Sequence, residues 1–214
     1  MSSVILKSSL MNSRDAILRQ LRRQFVASAD LPDLIDGNWT RYENPTQQFV
    51  TMVRFAGGGC DVVDSMSEVG ERLKRHDQFV SANRILSLVS PIPGTVDLET
   101  AKGPHDFEDL DYVICQGQLA VAENGAIWLT DELVRHRACF FITQYLVLVI
   151  EAQQIVHNMH EAYQQIQVTQ PGFGLFLAGP SKTADIEQSL VIGAHGCREL
   201  QVYVIDQASD RTER

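Results

Sequence analysis

The run Leu146-Val147-Leu148-Val149-Ile150, opened by Tyr145 and closed by Glu151, constrains the fold more than any other feature of the chain. It is apolar without alternation, so a strand built from it has to be buried on both faces. It is also far too short to cross a hydrocarbon core, which takes about 20 apolar residues as a helix. Further short apolar segments at 60–63, 83–89, 112–115, 119–122, 126–130, 173–178 and 200–205 read as strands. Helical segments at 45–55, 66–75, 153–165 and 183–192 fall between them. This alternation predicts an α/β fold, a mainly parallel sheet with helices on both faces. It also predicts that strands 173–178 and 200–205 share one sheet, joined by a right-handed crossover through a helix carrying Asp185 and Glu187.

Local signals set the boundaries. Ser13 is placed to cap an N-terminal helix in which Ile17, Leu21 and Phe25 recur at helical spacing, with Arg14, Arg19, Arg22 and Arg23 on its other positions as solvated surface. Pro45 suits the first turn of a helix, and Gly57-Gly58-Gly59 stops that helix before a strand. Ser65 and Glu68 have capping-box spacing. The expected organisation is an amphipathic helix within 1–30, an α/β domain over 45–206 and a polar tail at 207–214.

Charge and cysteine content narrow the function classes. A net charge of -9 argues against nucleic acid, whose binders concentrate Lys and Arg. Val4-Ile5-Leu6 is followed at once by Lys7, so no signal-peptide core is expected, and the expected location is the cytoplasm. Cys60, Cys115, Cys139 and Cys197 lack the Cys-x-x-Cys spacing that holds zinc or an iron–sulfur cluster, and read as buried, reduced thiols. His157 and His160 lie three apart, but no third ligand is near, so surface placement is expected and no metal site is assigned.

Three segments carry chemistry. In Gly179-Pro180-Ser181-Lys182-Thr183 a strand stops and a helix is expected to begin, which would leave backbone N–H groups open beside two hydroxyls and one positive charge. Such a loop suits an anion, with Asp185 favouring the helix N-terminus; the same residues also serve as ordinary helix caps. Ala122-Glu123-Asn124-Gly125 is a turn that brings a carboxylate to a strand end, and Asn-Gly is in itself a hairpin signal. In Gly193-Ala194-His195-Gly196-Cys197-Arg198-Glu199, Gly196 fits a helix end, His195 can titrate near neutral pH and Arg198 can clamp a carboxylate or phosphate.

Taken together, these segments resemble the lactate-utilisation protein C family, or LUD domain. Its Gly-Pro-Ser-Arg/Lys-Thr-Ala-Asp-Ile-Glu run is present in full from Gly179 to Glu187. Its Gly-x-His-Gly-Pro-x-Glu/Asp-Leu run appears at Gly193–Leu200, with Cys197 in the proline position. An Ala-Glu/Asp-Thr-Gly-Thr/Ser turn is matched at Ala122, Glu123 and Gly125 and departs at Asn124 and Ala126.

The resemblance implies a fold like that of the NagB/RpiA/CoA-transferase group, with sites at the carboxyl ends of the strands. It implies a subunit without a cluster that supports oxidation of L-lactate to pyruvate beside two iron–sulfur partner proteins, and it names no cofactor. Gly179, Ser181, Lys182 and Thr183 would then form an anion-binding loop for a small carboxylate or phosphate-containing ligand. Gly125, Asp185 and Gly196 would line it, and Glu123, His195 and Arg198 would face the same cleft. Glu123 and His195 are the candidate catalytic groups. The wider fold offers an alternative, a CoA transferase with Glu123 of Glu123-Asn124-Gly125 as nucleophile, or a folate cyclo-ligase-like enzyme using the Lys182 loop.

Overall fold

The apolar run at 146–150 sits where its composition requires. In the computed structural model, which describes residues 13–23, 37–132, 134, 136–166, 172–183, 191–192 and 195–207, it forms most of a strand at the centre of a parallel sheet. Two units are distinguished, Met1–Gly37 and Asn38–Arg214. The first contributes helix α1 (Ser13–Arg23). Phe25 and the tail from 208 lie outside the described residues.

In the second unit the elements follow as α2 (Pro45–Phe55), β1 (Gly59–Val63), α3 (Met66–Leu73), α4 (Asp77–Val80), β2 (Ile85–Ser87), β3 (Tyr112–Gln116), β4 (Leu119–Val121) and β5 (Ala126–Thr130). Then come α5 (Cys139–Ile142), β6 (Tyr145–Glu151), β7 (Ile155–Val156), α6 (Met159–Gln165), β8 (Gly174–Leu177), β9 (Lys182–Thr183), β10 (Val191–Ile192) and β11 (Glu199–Ile205). The main sheet has five strands in the order β1-β11-β6-β3-β2, and every pair in it is parallel.

Side chains alternate across a strand, so β6 divides its apolar residues between two cores. Leu146, Leu148 and Ile150 pack with Phe49 and Val53 of α2 and with Ile127 and Leu129 of β5. Val147 and Val149 pack on the other face with Val69 and Leu73 of α3. Each such side chain contributes about 1.5–3 kcal/mol of transfer free energy. That is why both helix layers are needed. A second sheet, in the order β7-β4-β5-β8, shares the first core, and its far face packs Val121, Trp128 and Val156 with Ala162 of α6.

Three local expectations are corrected. Strands β8 and β11 do not share a sheet: β8 pairs antiparallel with β5, opposing Phe176 to Trp128, while β11 lies between β1 and β6. The cause is aromatic packing. The Trp128 and Phe176 rings lie 4.8 Å apart, and Gly174 rests so close to Trp128 that an added Cβ would come within 2.3 Å of it. The segment 153–165 is not one helix, because buried Ile155 and Val156 add a strand to β4, and α6 starts only where the Asn158 side chain accepts the Glu161 N–H. Nor does a helix span 183–192. Lys182–Thr183 pairs antiparallel with Val191–Ile192, in keeping with the strand preference of β-branched residues, and 184–190 lie outside the described residues.

Candidate functional site

Helix α2 organises the motif loops. It starts cleanly, with Pro45 in its first turn and the Asn44 side chain accepting the Gln47 N–H at 2.9 Å. It ends at Ala56 and at Gly57, whose φ of +87° is a conformation that favours glycine. Gly125 closes the turn after Glu123 at φ +71°, against the α2 backbone; a Cβ there would lie 2.7 Å from the Val53 nitrogen. Gly179 takes φ +74°, and its Cβ would lie 2.4 Å from the Ala56 carbonyl oxygen. Val53 and Ala56 are three apart, one face of the helix, so α2 seats both loops side by side.

The third motif joins the second directly. The Ser181 N–H donates to the Cys197 carbonyl at 3.0 Å, and a Cβ on Gly196 would stand 2.9 Å from the Ser181 Cβ and 3.7 Å from the Phe141 carbonyl. The Arg198 N–H donates to the Gln144 carbonyl at 2.9 Å, tying this loop to the start of β6. Lys182 donates from Nζ to the Ala56 carbonyl. Its charge thus meets the negative end of α2, as cations at helix C-termini do.

The expected helix-start site for an anion is therefore not what this loop presents. The Ser181 N–H is already paired, and Lys182 and Thr183 belong to a strand. Lys182, His195 and Arg198 are all exposed, and Asp185 lies outside the described residues. The edge of the sheet also differs from expectation. Gly57–Gly59 leads into β1 and Gly196–Arg198 into β11, so the cluster stands at the amino-terminal edge of the parallel strands, not at their carboxyl ends.

Glu123 is drawn elsewhere. Its Oε2 accepts the Met159 N–H at 3.0 Å at the start of α6. Asn124 supports the same turn by accepting the Ala126 N–H at 3.0 Å. The neighbouring histidines are not simple surface residues either. His157 Nδ1 accepts the Tyr42 N–H at 3.0 Å, and the His160 ring stacks on Trp39 at 3.4 Å. Between them Asn158, only 2% exposed, donates to the Thr40 carbonyl at 3.0 Å. Residues 39–42 thus form a strap across the start of α6. Sequence reading missed it because its partners lie more than a hundred residues away.

Among the described residues no group of three or more His, Cys, Asp or Glu is placed to hold a metal ion, and no helix is long and apolar enough to cross a membrane. The four cysteines are free and buried. Burial pushes the Cys60 and Cys115 thiols up to about 12 and Cys139 to about 11, and raises Cys197. They are therefore protonated, inert core groups.

A five-stranded parallel sheet between helices, with a second sheet packed on one face, two glycine-bearing loops seated on the end of α2 and a third packed on one of them, defines a mixed α/β protein of a recognisable kind. Residues 55–205 match the family model of the LUD domain, and the chain belongs to that family. It is 24% identical over 192 residues to "Lactate utilization protein C" of Geobacillus thermodenitrificans, covering 86% of this chain and 76% of that protein. It is 32% identical to the Shouchella clausii protein of the same name over 46% of this chain, and 28% identical to the Oceanobacillus iheyensis one, also over 46%. In each of those two matches the chain spans 45% of the relative's own length. Among solved structures, a DUF162 family protein from Deinococcus radiodurans superposes with a TM-score of 0.58 at 21% identity, covering 76% of this chain and 96% of that one, a likeness of fold.

Proposed function

We propose that this chain is a lactate-utilisation C-like subunit that carries no iron–sulfur cluster and supports the oxidation of L-lactate to pyruvate with iron–sulfur partner proteins. The observation that carries the reading is its membership of the LUD family over 55–205, together with relatives named "Lactate utilization protein C". In this reading lactate gives up two electrons and two protons, and the electrons pass to the partners' clusters. The chain's own cysteines suit that division of labour, being buried, protonated and without cluster spacing. The exposed Lys182, His195 and Arg198, close to Ser181 and Gly196, are the groups offered to a small carboxylate or to a partner. The acyl-CoA alternative, with Glu123 as nucleophile, ranks lower because the relatives are named for lactate utilisation.

Reconstitution tests the reading. The purified chain alone is expected to show no lactate-dependent reduction of an artificial electron acceptor. Adding the purified iron–sulfur proteins should produce it, and omitting this chain should abolish it. Robust turnover by the isolated chain would overturn the accessory role, and no turnover by the full set would overturn the lactate reading.

A further inference from the structure

We propose that the amino-terminal edge of the main sheet, around the motif loops, is a docking surface for a partner protein that presents acidic side chains around an apolar patch. The proposal rests on the partnership reading above and adds to it the surface and the partner's chemistry. Two large aromatic side chains stand out there. Phe55, the last residue of α2, is 83% exposed, and Phe141 of α5 is 39% exposed.

Contacts already described link them. Lys182 reaches the carbonyl of Ala56, the residue after Phe55; Ser181 precedes Lys182 and packs on Gly196, which faces the Phe141 carbonyl. Beside Phe141, the Phe173 ring lies 6.3 Å away, and Arg137 holds its guanidinium 5.1 Å above that ring. Arg137, Lys182 and Arg198 are all exposed, with His195 among them. Two carboxylates stand with them: Glu199 follows Arg198 in the chain, and Asp131 accepts the Phe173 N–H at 3.1 Å.

Three basic side chains against two carboxylates leave the loops that carry these two exposed rings net positive, on a chain whose net charge is -9. Folding leaves these rings in water, whereas aromatic and arginine side chains are the groups that anchor protein interfaces. The flanking cations would steer an acidic partner and repel a basic one. A nucleic acid fits less well, because three cations are few against the chain's overall negative charge, and the phenyl rings offer nothing to phosphate.

Two probes test the surface on the full chain, the purified iron–sulfur lactate-utilisation proteins and an acidic peptide of alternating Glu and Leu. The wild-type protein is expected to bind both, less tightly as salt rises from about 0.05 to about 0.5 M. Phe55→Ser and Arg198→Glu should each weaken binding at least about tenfold, while Val80→Ser, at an exposed apolar position of α4, should not. Arg137→Glu replaces Arg198→Glu if circular dichroism shows the latter to be unfolded. Binding of the peptide through Phe55 and Arg198, without binding of the iron–sulfur proteins, would support the surface and overturn the partnership. Wild-type affinity in every surface variant, or binding of neither probe by the wild type, would overturn the surface.

Discussion

Lys182 donates from its ammonium to the carbonyl of Ala56, 126 residues earlier in the chain, and so caps the helix against which Gly125 and Gly179 pack. A lysine that reads in sequence as an anion ligand is thereby also a helix cap, and an anion would have to compete with that carbonyl or share the amine. Lys182→Met should cost about 0.5–1 kcal/mol, the scale for an exposed cation at a helix C-terminus after solvent screening. A fall in Tm of about 1–4 °C is expected. A loss of several times this size would mean that the β9–β10 hairpin depends on the contact.

Gly179 and Gly103 make a contrasting pair. Gly179 has φ +74°, and a Cβ would meet the Ala56 carbonyl at 2.4 Å, whereas nothing lies within 4 Å of a Cβ on Gly103. Gly179→Ala should lower stability by about 3 kcal/mol, from left-handed strain plus overpacking, and Gly103→Ala should be close to neutral. Urea denaturation of both variants decides it, and equal midpoints would contradict the close seating of the loop on α2.

Asn158 ties the strap at 39–42 to α6. Its side chain accepts the Glu161 N–H and donates to the Thr40 carbonyl, each at 3.0 Å. Asn158→Ala removes the cap and leaves that carbonyl without its donor, an expected loss of about 2–4 kcal/mol. Asn158→Asp keeps the acceptor for the cap and places a carboxylate oxygen against the carbonyl, so it should recover only part of that loss. Full recovery in chemical denaturation would show that the strap contact is dispensable.

The buried thiols set a limit at alkaline pH. Desolvation holds Cys60 and Cys115 at about 12, above the unfolded value near 9. Below about pH 9 both states keep these protons, and the stability is fully present. Between about 9 and 12 the unfolded chain releases protons that the native chain retains, so this contribution falls as pH rises. Burial of Tyr203, raised to about 12, acts in the same direction. Native protein at pH 8 should react little with a thiol reagent until denatured, and its urea midpoint should fall from pH 8 to pH 10. Rapid labelling of the native protein would show that the core opens more readily than this burial implies.

Local pattern in the sequence determined the elements that depend on near neighbours. The unbroken apolar run at 146–150 required a central parallel strand, Pro45 and the glycine triplet bounded α2, and the motif glycines marked three tight loops. What tertiary structure alone decided are pairings between distant residues. Trp128 and Phe176 pair β8 into the second sheet, away from β11; the Met159 N–H meets the Glu123 carboxylate; Ala56 takes the Lys182 amine. Periodicity reports which face of an element is apolar, because that depends on spacing within a few residues. Which ring, carbonyl or amide from another part of the chain will meet that face depends on how the layers pack, and local periodicity does not carry that information.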